Sequence, residues 1–170
     1  MSSYVPPGKR KKETRRKALV IPMIGNKYIV ARNRKSKNIT FIGGGCKNAQ
    51  NNKKCALQEL HEEARHSITA TNKNLIKFFN FVAEPKYRLL NGYNNKGQQI
   101  STDYKVFSLK PTKSFKNIYN NFHAFVPKTK SENEMSNIML MSLNNLKNNK
   151  VYTVMKNKVL PRLKEQKSRW

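Results

Sequence analysis

The sequence is poor in acidic residues, with 9 Asp and Glu against 35 Lys and Arg among 170 residues, so its formal net charge is +26. Its two cysteines are too few for a disulfide framework, which favours reduced thiols in an intracellular setting. No apolar run approaches the roughly 20 residues of a membrane span, and the N-terminus lacks the apolar core of a secretory signal. We therefore expect a cytoplasmic protein without a membrane partner; a nuclear or virion location also fits.

The positive charge extends along the whole chain, and such a surface attracts polyanions. We expect a nucleic acid, RNA rather than DNA, or another highly phosphorylated ligand. The alternative is a solvated face produced by the codon bias of an A/T-rich genome, which explains the lysines but not the shortage of acids. The densest run of basic residues is a candidate nucleic-acid-binding segment made of Lys9, Arg10, Lys11, Lys12, Arg15, Arg16 and Lys17.

Residues 1–17 are predicted to form a basic arm, because Pro6, Pro7 and Gly8 disfavour regular structure. A larger assembly is one way in which such an arm becomes ordered. Residues 18–170 are predicted to form one domain. The arm is expected to bind phosphates without contributing to chemistry, since it has no apolar periodicity that would fold it.

Strand patterns before and after a central helix, with a second helix at the end, predict an α/β or α+β sandwich for the domain. A hairpin is predicted around Gly25 and Asn26, and Asn51 or Asn52 is a candidate cap for a helix that ends near His66. Pro161 is expected to kink or interrupt the last helix. The predicted strands are 18–24, 27–31, 39–42, 75–82, 98–109 and 137–143, with a turn over 91–97, and the last helix is 151–166.

Three of the nine acidic residues fall within five positions, at Glu59, Glu62 and Glu63. At i, i+3 and i+4 they share one face of a helix, where their carboxylates repel one another unless a cation lies between them. Carboxylate oxygens suit Mg2+ or Mn2+. The alternative is a solvated helix face that pairs with Lys53 and Lys54. The upstream loop of Gly43, Gly44 and Gly45 favours a site, since glycines let the backbone approach a phosphate or metal.

The segment from Gly44 to His66 resembles the Nudix box, which has Gly, five residues, Glu, seven residues, then Arg-Glu-apolar-x-Glu-Glu-x-Gly-apolar. The spacing matches without a gap, and the order of predicted elements over about residues 18–167 is also similar to that family. Three positions differ: Gln50 replaces Glu, Gln58 replaces Arg, and Arg65 replaces Gly. Two glutamine amides could replace the family's bracing ion pair with a neutral hydrogen bond, whereas Arg65 puts the loop after the helix in question.

This resemblance implies a Nudix-like α/β/α sandwich with a mixed sheet, and Mg2+ or Mn2+ held by Glu59, Glu62 and Glu63. A backbone carbonyl of Gly43 or Gly44 would be a further ligand, and Glu59 and Glu63 would be catalytic. The metal would polarise a phosphate and activate water. The resemblance leaves the general base open between Glu59 and an acid on a later segment, for which Asp103, Glu132 and Glu134 are the candidates.

The implied activity is hydrolysis of a phosphoanhydride bond in a nucleoside diphosphate linked to another group. The basic charge points to a large or highly charged substrate, such as capped mRNA or a diphosphoinositol polyphosphate, and the composition suits a large DNA virus or an A/T-rich parasite. The alternative is a Nudix fold kept as a nucleic-acid-binding or virion structural protein with weak or lost catalysis. Cys46, Cys55, His61 and His66 fit no compact zinc-binding spacing.

Overall fold

Strand β1, Lys12–Ile24, is paired along both of its edges in a mixed sheet. A computed structural model describes residues 12–90 and 93–163, with side chains described for 14–83 and 100–163. The other strands are β2 Lys27–Asn33, β3 Ile39–Thr40, β4 Ile42–Gly45, β5 Ile76–Leu90, β6 Tyr93–Leu109 and β7 Met135–Met141. The helices are α1 Asn52–Glu63, α2 Phe115–Ala124 and α3 Leu143–Lys147, and a π-helical turn covers Met155–Val159.

The sheet combines parallel and antiparallel pairs in the order β3-β2-β1-β6-β5, with β4 also paired to β1 and β7 to β2. Along one edge, β1 runs parallel to β6 from Lys12 to Pro22. Along the other edge, β1 pairs antiparallel first with β4, at 17–20, and then with β2, at 23–24. This pairing places the glycines of β4 directly beside β1.

The core lies on both faces of the sheet because side chains of the central strands alternate between them. Ala18 and Val20 of β1 pack with α1 and α2 on one face, whereas Leu19 and Ile21 pack on the opposite face against residues of α3 and the C-terminal helical segment. The predicted α/β/α sandwich with a mixed sheet is therefore confirmed. No helix in the described ranges is long and apolar enough to cross a membrane.

Helix α1 begins as predicted, because the side chain of Asn51 accepts a hydrogen bond from the backbone N–H of Lys53. It ends at Glu63, three residues earlier than predicted. Arg65 and His66 have φ values of 50° and 58°, in the left-handed region, so the chain turns sharply there and cannot continue the helix.

Several predicted boundaries are wrong where pairing between distant segments decides the structure. Residues 12–17 belong to β1, not to an arm without regular structure, because β6 pairs with them. Strands β5 and β6 are longer than predicted, so residues 93–97 are strand; 91–92 lie outside the described residues. Helix α2 was not predicted. Its apolar residues Ile118 and Phe122 are buried in the core beside α1.

The predicted C-terminal helix is present over 153–163, and residues 164–166 lie outside the described part. Helical structure continues through Pro161, so the expected interruption does not occur there. The π-helical turn immediately precedes this proline, and the backbone N–H of Leu160 donates to the carbonyl of Met155. The wide π-helical turn thus lies just before Pro161, which has no backbone N–H to donate in the regular helical pattern.

We predict that deleting residues 1–11 weakens RNA binding and makes it less dependent on salt, while leaving β1 in the sheet. The deletion removes the three charges of Lys9, Arg10 and Lys11, so the logarithmic salt slope should fall by up to about 2 to 3. RNA affinity measured at several salt concentrations checks this. Turnover of a small substrate is the control and should not change. Identical slopes for the two chains would remove residues 1–11 as a nucleic-acid-binding segment.

Candidate active site

The carboxylate of Glu63, at the end of α1, is buried against the backbone of β4. Glu63 is 2% exposed, and its Oε1 accepts a hydrogen bond from the N–H of Gly43 at 2.9 Å. Burial raises the pKa of Glu63 well above its ordinary value, while the Gly43 N–H opposes this shift. A Cβ on residue 43 would lie 2.2 Å from the carbonyl oxygen of Ala18, so only glycine lets β4 run this close to β1.

The carboxylate of Glu59 lies against the next glycine of the loop. A Cβ on Gly44 would lie 2.5 Å from Glu59 Oε2, the end of a flexible side chain, so it would displace this carboxylate from the loop. Gly45 has open space around it, so the close approach expected of all three glycines is found at Gly43 and Gly44, and only the approach at Gly43 is against backbone. The pKa of Glu59 is raised to about 7, first by burial and then by the negative charges of Glu62 and Glu134, with Lys17 acting in the opposite direction.

A chain of hydrogen bonds through two side-chain amides ends on the third glutamate. The backbone N–H of Lys47 donates to Gln50 Oε1 at 3.0 Å, and Gln50 Nε2 donates to Gln58 Oε1 at 3.0 Å. Gln58 Nε2 in turn donates to Glu62 Oε1 at 3.2 Å. The hydrogen bond expected between Gln50 and Gln58 is present, and its continuation, which the sequence did not reveal, orients Glu62. We call the side chains of Gln50 and Gln58 the amide relay.

Of the three glutamates of α1, Glu63 borders an open cavity of 490 Å³. Gly43, Gly44, Glu63 and Glu134 form one part of its wall. The other charged residues among its described lining are Lys17 and Lys35, and the aromatic residues there are Phe41, Tyr104 and Tyr152. The cavity therefore places carboxylates, cations and flat apolar surfaces around a volume in the usual range for small-ligand sites.

Of the three later acids considered as a general base, Glu134 lines this cavity. Asp103 lies on β6 opposite Val82 of β5, and it is not part of the cavity lining. Glu132 is held by the backbone N–H groups of Lys128 and Thr129, at 3.0 and 3.1 Å, and by His66 Nε2 at 2.9 Å. The N–H of Lys128, followed by His66, lowers the pKa of Glu132. Glu132 thus holds together the loop over residues 128–132 and ties it to His66.

Arg65, which replaces the family's glycine, is an anchor for that loop. Arg65 is 7% exposed; its Nε donates to the Glu132 carbonyl at 3.0 Å and its Nη2 to the Met135 carbonyl at 2.9 Å. Its guanidinium carbon lies 4.3 Å from the centroid of the Phe122 ring. These contacts offset the cost of a left-handed backbone at a residue with a side chain.

A disulfide joins Cys46 to Cys55, so the expectation of two reduced thiols is wrong in this structure. Cys46 follows β4, Cys55 lies near the start of α1, and their Cα atoms are 5.4 Å apart. The bond closes the loop that carries Gln50. The sequence shows that the two cysteines are 9 positions apart. It does not show that the loop between them folds back so that its two ends meet.

The basic run 9–17 is divided between different parts of the molecule. Arg16 Nη1 donates to Asn52 Oδ1 at 2.9 Å and Nη2 to the Lys47 carbonyl at 2.8 Å, so Arg16 ties β1 to the disulfide-closed loop. Lys17 lines the cavity. Lys9, Arg10 and Lys11 lie outside the described residues, and Lys12 is described only as part of β1.

The three glutamates fit a divalent cation by their chemistry but are not gathered around one point. Within residues 12–90 and 93–163, no group of three or more His, Cys, Asp or Glu side chains is placed to hold a metal as it stands. Glu63 is held by Gly43, Glu59 lies on Gly44, and Glu62 is held by Gln58. The raised pKa values of Glu59 and Glu63 reflect burial and mutual repulsion, which a cation would relieve.

No protein-family model and no curated protein matches the chain. Among solved structures, it is similar to a C. elegans Ap4A hydrolase in a binary complex, with a TM-score of 0.56, 11% identity, and coverage of 92% of this chain and 98% of that one. A NUDIX hydrolase from Nitrosomonas europaea gives a TM-score of 0.54 at 9% identity, with 91% of each chain covered.

A third similar structure is a bifunctional NMN adenylyltransferase/ADP ribose pyrophosphatase from Francisella tularensis, complexed with AMP and a Mn ion. The TM-score is 0.58 at 14% identity, and the match covers 91% of this chain and 42% of that one. At these identities the comparisons establish the fold: the chain has the α/β architecture found in Nudix hydrolases.

We predict that the disulfide stabilises the fold by constraining the unfolded chain. For a closed loop of this length the chain-entropy estimate is about 2 to 3 kcal/mol. The double variant Cys46→Ser/Cys55→Ser should lose this much free energy of unfolding in a denaturant titration without reductant. The wild type treated with dithiothreitol should behave like the variant. A wild type that reductant leaves unchanged would contradict the role of the bond.

We predict that Gln50 and Gln58 are energetically coupled. Gln58→Arg alone places a cation beside an amide and should not improve activity, whereas Gln50→Glu with Gln58→Arg should be better tolerated than either change alone. A double-mutant cycle on thermal stability should give a coupling of at least about 0.5 kcal/mol. Gln50→Glu combined with Asn121→Arg, at an exposed position on α2, is the additive control. Additivity in both cycles would refute the coupling.

Proposed function

We propose that this chain is a divalent-metal-dependent pyrophosphohydrolase that cleaves a phosphoanhydride bond in a nucleoside diphosphate-linked substrate. The observation that carries the proposal is the buried Glu63 carboxylate, which is held by the Gly43 N–H at the wall of a cavity that also contains Glu134 and Lys17. The similar structures named as an Ap4A hydrolase and an ADP ribose pyrophosphatase support this proposal.

In this proposal Glu59, Glu62 and Glu63, with the Gly44 carbonyl, hold Mg2+ or Mn2+. When bound, the ion would supply the charge that polarises a phosphate and lowers the pKa of a bound water. The Gly43 N–H and the amide relay keep the carboxylates of Glu63 and Glu62 oriented. Lys17 and Lys35 bind the phosphate charge, and Glu134, exposed at the cavity, accepts the proton of the attacking water.

Capped RNA is the large substrate that we propose to test first, because the net charge of +26 favours a long polyanion. Its phosphate chain would lie on the basic surface outside the cavity. This partner fits a cytoplasmic, nuclear or virion location. A screen over capped RNA, nucleotide sugars, dinucleoside polyphosphates and inositol pyrophosphates, each with and without Mg2+ or Mn2+, identifies the substrate class.

The second candidate is a Nudix fold that binds nucleic acid or forms part of a virion, with weak or lost hydrolysis. The replacement of the bracing ion pair by Gln50 and Gln58 favours it, as does the separate placement of the three glutamates. The buried carboxylate of Glu63 argues against this second candidate. Burying an acidic side chain lowers stability, and a protein without catalysis has no use for such a group. Absence of hydrolysis over the whole screen would favour this second candidate.

We predict that Glu63→Gln lowers turnover by about two orders of magnitude or more, with a small change in KM. The same variant should be more stable than the wild type in EDTA at pH 8. The pKa of Glu63 is higher in the folded protein than in the unfolded chain. As the pH rises above about 4.3, Glu63 therefore loses its proton in the unfolded chain before it does so in the folded protein, and the free energy of unfolding of the wild type falls. Melting temperatures at pH 5 and pH 8 should show the larger difference between the two proteins at pH 8.

Glu132→Gln is the matched control, since Glu132 is also a buried glutamate but its pKa is lowered. Its ionised form stabilises the folded state above the unfolded pKa, and this contribution is lost as pH falls. Glu132→Gln should therefore lower the melting temperature at pH 8. At a temperature at which both proteins are folded, its turnover should stay within about twofold of the wild-type turnover. Unchanged turnover in Glu63→Gln would refute the active-site assignment.

A further inference from the structure

Two arginines hold the backbone of the segment 132–135, which leads into β7. Arg65 Nε donates to the carbonyl of residue 132 at 3.0 Å, and Arg65 Nη2 donates to the carbonyl of residue 135 at 2.9 Å. Between these two bonds, Arg34 Nε donates to the carbonyl of residue 133 at 3.0 Å, and the backbone N–H of Arg34 donates to the carbonyl of residue 134 at 2.9 Å. Four consecutive carbonyls thus accept from two residues, which we call the arginine clamp.

The clamp lies where the pairing of β2 with β7 is irregular. Residues 32 and 33 of β2 pair with residues 137 and 135 of β7, so Ser136 is the extra residue of a β-bulge. Bulges redirect the side chains beside them and are frequent next to active sites. The backbone bond from Arg34 continues the pairing beyond the bulge, while Arg65 holds the same segment from the end of α1. The start of β7 is therefore fixed from two sides.

The segment held by the clamp carries Glu134. Residues 132 and 135 are buried, whereas Glu134 is exposed in the wall of the cavity that Glu63 also lines. Besides burial, the negative charge of Glu134 raises the pKa of Glu63, so the two carboxylates act on each other. Arg65 follows Glu63 by two positions. One residue therefore ties the end of α1 to the segment that carries the other acid of the cavity.

The arginine clamp carries energetic costs. Arg65 is buried and has a φ of 50°, a left-handed conformation that is unfavourable for a residue with a side chain. Burial lowers the pKa of Arg65, and the positive charge of Arg34 lowers it further, because like charges repel. Both side-chain hydrogen bonds of Arg65 go to the segment that carries Glu134. Its effect on the structure is therefore concentrated there.

We propose that Arg65 and Arg34 are positioning residues that hold Glu134 at the cavity, where it accepts the proton of the attacking water. This inference rests on the proposed function for the role of Glu134. A general base must lie within hydrogen-bond reach of the proton that it accepts, and a displacement of about 1 Å can lower turnover by about two orders of magnitude. Neither arginine is part of the described cavity lining, so the clamp acts through Glu134.

The test combines Arg65→Met, which removes the donors but keeps an unbranched side chain, with Glu134→Gln. Turnover is measured in Mg2+ with the screened substrate that the wild type cleaves fastest, at a temperature at which every variant is folded. Arg65→Met should lower kcat by about tenfold or more and leave KM within about twofold. In the Glu134→Gln background the same change should alter kcat by less than about twofold, because the residue that Arg65 positions no longer accepts a proton.

Arg34→Ala provides the same cycle at an exposed position, so the test does not depend on the folding of Arg65→Met. This change removes the bond to the carbonyl of residue 133 and leaves the backbone bond to residue 134. Its loss of kcat should therefore be smaller than that of Arg65→Met, and it should also disappear in the Glu134→Gln background. For either arginine, equal losses in both backgrounds would show a purely structural role and overturn the inference, as would unchanged turnover in Glu134→Gln alone.

Hydrogen exchange without metal or substrate checks the clamp independently of hydrolysis. The amides of residues 133–136 should exchange about tenfold faster or more in Arg65→Met than in the wild type, because the segment opens more easily once two of its bonds are lost. Arg32→Ala is the matched control for both measurements, since Arg32 Nη1 donates to the Lys37 carbonyl at 2.8 Å, outside this segment. Its exchange and its kcat should stay within about twofold of the wild type.

Unchanged exchange in Arg65→Met, or a loss of kcat in Arg32→Ala as large as that in Arg34→Ala, would overturn the inference. A wild type that hydrolyses none of the screened substrates refutes the proposed function, and the positioning role with it. Equal losses of kcat in both backgrounds of an active wild type overturn the positioning role alone and leave the proposed function intact.

Discussion

The hydrogen bond from the Gly43 N–H to the buried Glu63 carboxylate is the contact on which the rest of the candidate site depends. It joins β4 to the end of α1, and the missing Cβ of Gly43 brings β4 against the Ala18 carbonyl of β1. One residue thus fixes the strand, the helix and an acid relative to one another. The Gly43 N–H reduces the cost of burying this carboxylate, and the burial that remains still raises its pKa.

The three departures from the Nudix pattern each have a physical replacement. Gln50 and Gln58 form the amide relay, which carries no net charge and so needs no desolvated ion pair. Arg65 adopts a left-handed backbone conformation and donates to the carbonyls of Glu132 and Met135. These changes alter how the loop and helix are braced and leave the positions of Glu59 and Glu63 beside the glycines intact.

The charge of the molecule is distributed unevenly with respect to the cavity. The chain carries a net charge of +26, whereas the described cavity lining has equal numbers of cations and carboxylates. Screening limits how far exposed charges act, roughly 8 Å at physiological salt. Under the proposed function, a long polyanion would lie on the basic surface outside the cavity, while chemistry at Glu63 would depend on local groups.

The features that could be predicted from the sequence are those with local signals: the hairpin around Gly25, the Asn51 cap, the spacing of the three glutamates, and the pair Gln50 and Gln58. The tertiary structure decided what depends on distant partners. Residues 12–17 became strand because β6 lies beside them, and Glu134 rather than Asp103 or Glu132 reached the cavity. The disulfide and the unpaired Asn38 oxygen depend on where the folded chain places the loops that carry these residues. Periodicity and capping act over a few residues, whereas pairing, burial and hydrogen-bond satisfaction are properties of the folded chain.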